Sequence, residues 1–589
     1  MKEYSVRKSK KILVHLYRGF LKKKSVNGDQ KSSFLTLLNS LQDAIAKNNP
    51  PRASEYAKKA ESFYKKLPQR SPSKRVLSFI VGLSLALIAA VIIRQMWFEL
   101  YEIPTGSMRP TFKEKDRVIV SKSKFGINVP LLTKHFRFER AFCKRGSTVV
   151  FTSENLKTPD KDMLYFYLFP GKKQFVKRLI GKPGDTLYFY GGKVYGIDKD
   201  GNDISSYLQN DTLTNIEHIP FIRFEGSFSN TKNTIRQMGE EIVKFSPFTY
   251  NTSKGQLLTS NLYEDPRHFK DYYDLWGYKN YAMARLVAPA HLDILEKRYL
   301  EDVSSPLLLE LHHSPSVTHS SRIHKCVTYI PLTESHLRTI FDNLYTARFI
   351  VKANQAYRYG ATGEQSTVHL KDIPDGTYEF YHGNAYKIYP TGIAKLLPKT
   401  HPLCEYSIER LYLLYNIGIE MNSFYLPKSK DDPILPSRYA YFRDGELYVL
   451  GQPLLKSNDA ALASFAELEQ KKEKSLPFYK AFQDHGVPID SEFIRTYGLK
   501  IPENRYLMLG DNHAMSGDSR EFGLVPEENI KGNPSVIFWP PGNRWGTLPQ
   551  PFIPWASVSN LVVWMLGIIS LTIGSYLSRK KFRLPIKFD

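Results

Sequence analysis

Two long uncharged runs divide the chain. Val76–Ile93 holds 18 residues without a charge and Trp555–Leu577 holds 23, and either length suffices for a membrane-spanning helix. At the exit of the first run Arg94 can snorkel, with Trp97 and Phe98 as interfacial anchors. That run begins after 75 residues, too late for a cleaved leader, and its length argues against a buried globular helix. Before it, FLTLLNSLQDAIA (34–46) has apolar residues at helical spacing. Asn48-Asn49-Pro50-Pro51 breaks that pattern and SEYAKKAESFYKKL (54–67) resumes it, with Ser54 as its cap. A helical hairpin is predicted.

Beyond the first run the period changes. DRVIVSK (116–122), STVVF (147–151) and QFVKRLI (174–180) are short β-branched or apolar runs punctuated by Pro and Gly, which predicts strands. LYFYGGKVYGI (187–197), TYEFYHGNAYKIY (377–389) and YAYFRDGELYVL (439–450) read as hairpins. ALASFAELEQKKEK (461–474) reads as helix. YAMARLVAP (281–289) faintly echoes QFVKRLIGKP (174–183), and convergent strand-and-turn chemistry explains this better than an internal duplication.

At 589 residues the chain exceeds one compact core, and 37 Tyr and 35 Phe favour a β-rich bulk. The net charge of +24 suggests nucleic acid or an anionic membrane. Its distribution decides between them. Residues 1–75 carry a net +14 and residues 578–589 a net +4, so the basicity sits at the two ends, each beside an apolar run. The positive-inside rule then places both ends in the cytoplasm and Phe98–Pro554 across the membrane. The basic ends are expected to meet anionic lipid heads, and no nucleic-acid partner is expected. Three cysteines give neither a disulfide scaffold nor the paired spacing of a zinc site. Cys143 is expected to pack, and Cys326 and Cys404 are compatible with a disulfide or with free thiols.

Three segments carry candidate chemistry. Ser107 lies in Ile103-Pro104-Thr105-Gly106-Ser107-Met108-Arg109-Pro110-Thr111, just past the first run, where two prolines frame a loop. Gly106 allows close backbone approach or an unusual φ. Taken alone, a Gly-Ser loop is most often a turn. Lys177 stands inside an apolar strand. Burial there would lower its pKa and make a neutral amine available as a base, although a strand with one solvated face is the simpler reading of that segment. Arg178 should point to the other face and stay charged. In Leu509-Gly510-Asp511-Asn512 and Ser516-Gly517-Asp518-Ser519-Arg520, Asp518 and Arg520 can pair or cap a tight loop, and Ser516 can hydrogen-bond a buried amine.

In combination and in order, these segments resemble the type I signal peptidase (leader peptidase) family of Ser–Lys serine proteases. Lys177-Arg178-Leu179-Ile180-Gly181-Lys182-Pro183-Gly184-Asp185 resembles the lysine box. Gly510-Asp511-Asn512 through Arg520 resembles the last box, continued by Gly523, Val525 and Pro526. Asp116-Arg117-Val118-Ile119-Val120 and Arg145-Gly146 resemble shorter boxes. The resemblance covers about 95–200 and 500–540. It implies Ser107 as nucleophile, Lys177 as general base, and an oxyanion hole from the Ser107 N–H and the Thr105 hydroxyl. It further implies Ser516 as the group orienting Lys177, Gly510, Asp511, Asp518 and Arg520 as structural support, and Met108 at the substrate cleft. The implied substrates are secretory preproteins cut after a small-x-small motif at the outer face of a bacterial inner membrane, without metal or cofactor. The implied fold is a mainly β catalytic core of coiled antiparallel sheets, with an inserted α+β region, a helical N-terminal module and two transmembrane helices.

The chain departs from the family pattern at His513, Ala514-Met515 and Ser147, none of them catalytic positions, and His513 is expected to be a satisfied loop residue. It also departs in size and in its second span. The expected divisions are a basic cytoplasmic helical module (1–75), a span (76–98), the core in two parts (99–204 and 501–550) around an inserted domain (205–500), a second span (555–577) and a basic cytoplasmic tail (578–589). Ser71-Pro72-Ser73-Lys74 fits a Ser-x-x-Lys pattern, but it lies in a basic linker on the cytoplasmic side without a Lys-Thr-Gly partner. Other Ser–Lys proteases fit the double-span topology and the Ser107 loop less well. From a different class, a catalytically inactive membrane-anchored β-rich scaffold is the alternative, and retention of both Ser107 and Lys177 counts against it.

Overall fold

A computed structural model describes the chain except for residues 1–2, 22, 24–25, 69–71, 159–160, 166, 168, 211–212, 214–215, 221–233, 238–239, 245–255, 258–275, 293–303, 318–322, 360–367, 417–437, 476–480, 485, 582–584, 587 and 589. Two compact units result, Met1–Trp97 with Asn560–Asp589, and Phe98–Ser559.

The first unit opens with three helices, Val6–Phe20, Gly28–Ala46 and Pro50–Lys66, where sequence pattern predicts two. The additional helix is Val6–Phe20. Its lysines and arginines interrupt an apolar stripe of Leu13, Leu16, Tyr17 and Phe20, all buried. These pack with Phe34, Leu38, Leu41, Ala53, Ala57 and Ala60. The third helix is capped by Asn49, whose side chain accepts from Arg52 N at 3.2 Å, and not by Ser54. Ser54 lies a turn inside the helix, where its hydroxyl accepts from Tyr4 N at 2.9 Å. Two helices are long and apolar enough to cross a membrane, over Val76–Trp97 and Val558–Leu577. The second begins three residues after Trp555. Phe79, Leu85, Leu571 and Ile573 face outward, uncovered by protein. That is how a lipid-facing helix looks, and a core helix would bury them. Ser71 of the Ser-x-x-Lys pattern lies outside the described residues.

The second unit is mainly β, as expected. An eight-stranded antiparallel sheet runs in the order Phe98–Glu102, Arg117–Ser121, Ile530–Trp539, Thr148–Thr152, Gln174–Gly181, Arg505–Leu509, Val525–Pro526, with Gly546–Thr547 added on Ile530–Trp539. The sheet curls. Ile530–Trp539 pairs with Thr148–Thr152 near its start and with Arg117–Ser121 further on, and bulges interrupt both pairings. Thr148–Thr152 is buried throughout. Val149 and Phe151 face a cluster with Phe125, Cys143, Leu179, Met508 and Ile530, while Val150 faces another with Ile103, Met108, Phe112, Val118, Val120 and Ile537.

All three predicted hairpins form, with both turn residues at positive φ: Gly191-Gly192, His382-Gly383 and Asp444-Gly445. Positive φ at both central positions matches the right-handed strand twist. The second and third hairpins belong to two six-stranded antiparallel sheets. These sheets share one large core with helices Glu334–Asn343, Ile408–Asn416 and Ala460–Ser475. The 281–289 segment forms a strand, Tyr281–Val287, in one of them. Cys143 is a buried free thiol, its pKa pushed up by burial, and Cys404 is free and half-buried. The Cys326 side chain lies outside the described residues.

Candidate active site

The curled sheet brings three distant segments together. Gln174–Gly181 sets Lys177 opposite Val149 and Arg178 opposite Thr148 and Leu509. Arg505–Leu509 runs directly into Gly510-Asp511-Asn512. The loop after Phe98–Glu102 carries Ser107.

Lys177 Nζ lies 2.9 Å from Ser107 Oγ and donates to it. Ser107 is half-buried, whereas Lys177 is only 3% exposed. Burial brings the Lys177 amine down to about 8, with Asp518 acting against that fall and Arg520 adding to it. Near neutrality a useful fraction is therefore a free base, as proton transfer from a hydroxyl requires. The exposed Thr105 hydroxyl lies 3.4 Å from Ser107 Oγ.

The third segment brackets the loop. Asn512 N donates to the Ser107 carbonyl at 3.1 Å, and Asn512 Nδ2 to the Gly106 carbonyl at 3.2 Å. Arg178 clamps Asp511 at 2.7 and 2.6 Å and reaches Thr111 Oγ1 at 3.0 Å, while Thr111 also donates to Asp511. Asp518 plays both expected roles. It caps Ser519–Phe522 by accepting from Arg520 N at 3.1 Å, and it receives the Arg520 guanidinium at 2.8 and 2.6 Å. Its other oxygen contact, from Gly510 N at 2.9 Å, ties this pair to the segment beside Ser107. Although burial works against ionisation, the Arg520 guanidinium and then the Lys177 amine hold the Asp518 carboxyl below its usual range. Gly510 has no room for a side chain, since a Cβ there would lie 2.0 Å from Ser516 Oγ and 2.6 Å from the Ser107 carbonyl.

Three expectations look different in the structure. Ser516 is buried beside Gly510, but its hydroxyl has no hydrogen-bond partner among the described residues, so the expected bond to Lys177 is not made. Met108 is 2% exposed and packs in the apolar cluster under the sheet, which leaves it no surface to offer a cleft. His513 is not fully satisfied. Its Nδ1 accepts from Ile219 N at 3.4 Å, its Nε2 is unpartnered among the described residues, and its ring meets His218 edge-on at 5.2 Å. Burial pushes both imidazoles well down and keeps them neutral. Asn512 and Thr111 went unassigned in the sequence although both lie inside the quoted boxes. His218 had no signal.

The signal peptidase family, peptidase S26, matches residues 76–254 and 436–539. The two matched blocks resemble a signal peptidase core. The two blocks enclose an unmatched insertion, residues 255–435. Signal peptidase IB of Staphylococcus aureus strain N315 is 55% identical over 40 residues, 7% of this chain and 21% of that protein. Signal peptidase I of Leptolyngbya laminosa is 32% identical over 116 residues, 20% of this chain and 47% of that protein. The chain thus aligns with about a fifth to a half of the length of these relatives. The two matched blocks hold every residue of the Ser107 and Lys177 surroundings described above, Ile219 and His218 included.

Proposed function

We propose that this chain is a membrane-held signal peptidase that cleaves secretory preproteins with a Ser107–Lys177 dyad. The 2.9 Å contact between the Lys177 amine and the Ser107 hydroxyl carries the reading. Neutral Lys177 takes the Ser107 proton as Oγ attacks the scissile carbonyl. The oxyanion is received by the Ser107 N–H and the Thr105 hydroxyl. The Lys177 ammonium then returns the proton to the leaving amine, and in a second round the amine activates the water that hydrolyses the acyl-enzyme. Asp518, Arg520, Gly510 and Asp511 hold the frame around the amine. The substrate cut follows a small-x-small motif.

The two apolar helices span a bacterial inner membrane, both basic ends meet anionic lipid on the cytoplasmic side, and Phe98–Ser559 works at the outer face. One contact within the first unit supports this topology. The Gln42 amide donates to the Ile586 carbonyl at 3.3 Å and accepts from Ile586 N at 2.6 Å, with the Tyr17 and Phe588 rings edge to face at 4.9 Å. The C-terminal tail thus lies on the N-terminal helices, which supports the reading that both ends are on one side.

The test is cleavage of a synthetic preprotein by detergent-solubilised full-length protein, with the cut mapped by mass spectrometry. Wild type should cut after small-x-small, and folded Ser107→Ala should not cut. An inert wild type contradicts the reading and favours the inactive scaffold, and an active Ser107→Ala contradicts Ser107 as the nucleophile.

A further inference from the structure

A second set of contacts reaches the nucleophile loop from the insertion. Arg109, two residues after Ser107, donates Nε to Glu114 at 3.1 Å and Nη1 to Glu379 Oε2 at 3.0 Å. Lys113 Nζ donates to the same Glu379 oxygen at 2.7 Å. The other oxygen, Glu379 Oε1, receives Arg348 Nε at 3.0 Å and Nη2 at 2.6 Å, and Arg348 Nη1 reaches the Glu114 carbonyl at 2.7 Å. The cluster is largely buried, with side-chain exposures of 1% for Glu379, 2% for Arg348, 10% for Arg109 and 20% for Lys113.

The platform under Glu379 is stiff. Its strand, Gly376–Tyr381, pairs with Phe349–Lys352, and the register that sets Phe349 opposite Tyr378 continues to Arg348 and Glu379. The other end of the network touches the residue before Ser107. A Cβ on Gly106 would lie 2.7 Å from Glu114 Oε1 and 3.0 Å from Arg109 Nε, so the loop backbone rests directly on the Arg109–Glu114 pair. In the structure Gly106 is spared a side chain by this close approach, since its φ is not positive.

We propose that Glu379, fixed by Arg348, is a positioning residue for Ser107, and that the insertion thereby forms part of the active-site frame. This rests on the reading of Ser107 as nucleophile. Two buried guanidiniums and the half-buried Lys113 ammonium share two carboxylates here. Without the Glu379 charge, Arg109, Lys113 and Arg348 face Glu114 alone, and Arg109 is driven toward water with the loop attached to it. Displacing a nucleophile by about 1 Å costs on the order of 100-fold in rate. Glu379 acts through Arg109, so the loss should fall on kcat and leave the Lys177 titration where it is.

The test uses the full-length protein in detergent, with rates scaled to the folded fraction well below the melting temperature. Glu379→Gln should lower kcat roughly 10- to 100-fold, with KM within about twofold and the pH midpoint unmoved. Arg348→Lys keeps the charge but loses the fork, and should lower kcat by about 3- to 10-fold. It carries the test if Glu379→Gln does not fold. Asp375→Asn, an exposed insertion residue that caps Ala353 N at 2.9 Å, should match wild type. Wild-type kcat in Glu379→Gln and Arg348→Lys, with only the melting temperature lowered, overturns the proposal and leaves the network merely structural. If Ser107→Ala keeps activity, the nucleophile reading falls and this inference falls with it. If Ser107→Ala is dead while Glu379→Gln is fully active, the inference falls alone.

Discussion

Lys177 and Lys531 are both buried in the curled sheet, on strands that flank Thr148–Thr152 on either side. Burial lowers both amines, Lys177 to about 8 and Lys531 to about 7, the latter helped by nearby Lys122. On burial alone both amines are candidate bases near neutral pH. Their partners separate them. Lys531 Nζ donates to the Leu132 and Lys134 carbonyls at 3.1 and 3.2 Å, acceptors with no proton to give. Lys177 Nζ meets a hydroxyl. A depressed lysine pKa marks burial, and chemistry begins only where the amine faces a group it can deprotonate.

Several substitutions sharpen this contrast. The largest effect is expected from Lys177→Met, which keeps the volume and removes the base: kcat for preprotein cleavage should fall at least ~1000-fold while the protein stays folded. Asp518→Asn should come next. It leaves the buried Arg520 guanidinium without its counter-charge and should destabilise by about 3–5 kcal/mol in a denaturant titration. Because Asp518 raises the Lys177 pKa, the surviving activity should show its acid limb at lower pH than wild type. Gly510→Ala forces a methyl group against Ser516 and the Ser107 carbonyl, and about 1–3 kcal/mol of stability should be lost along with most of kcat. The smallest effect belongs to Lys531→Met, whose kcat should stay within about twofold of wild type. A Lys531→Met enzyme as dead as Lys177→Met would break the contrast outright.

Much of this site was legible because its signals are local. A lysine in QFVKRLI is conspicuous in an apolar strand, and Gly-Gly and Asp-Gly pairs between aromatic runs demand hairpin turns. The buried bond from Arg109 to Glu379 was not legible. It joins residues 270 apart, and no periodicity marks either as the partner of the other. Met108 shows a further limit. An apolar residue beside a nucleophile reads equally as cleft or core, and only the positions of Val118, Val150 and Ile537 around it decide for core. The helix Val6–Phe20 escaped because its basic residues outnumber its apolar stripe, which becomes evident only against Phe34 and Ala57.

The pH dependence of kcat/KM, measured side by side for wild type and Lys531→Met, tests the central claim most directly. A base whose folded pKa lies at about 8 is protonated below it, so activity should rise with pH through about 8 and level off above. Lys531→Met should trace the same limb. An acid limb that is absent, or one near 7 that vanishes in Lys531→Met, would contradict the assignment of Lys177 as the base.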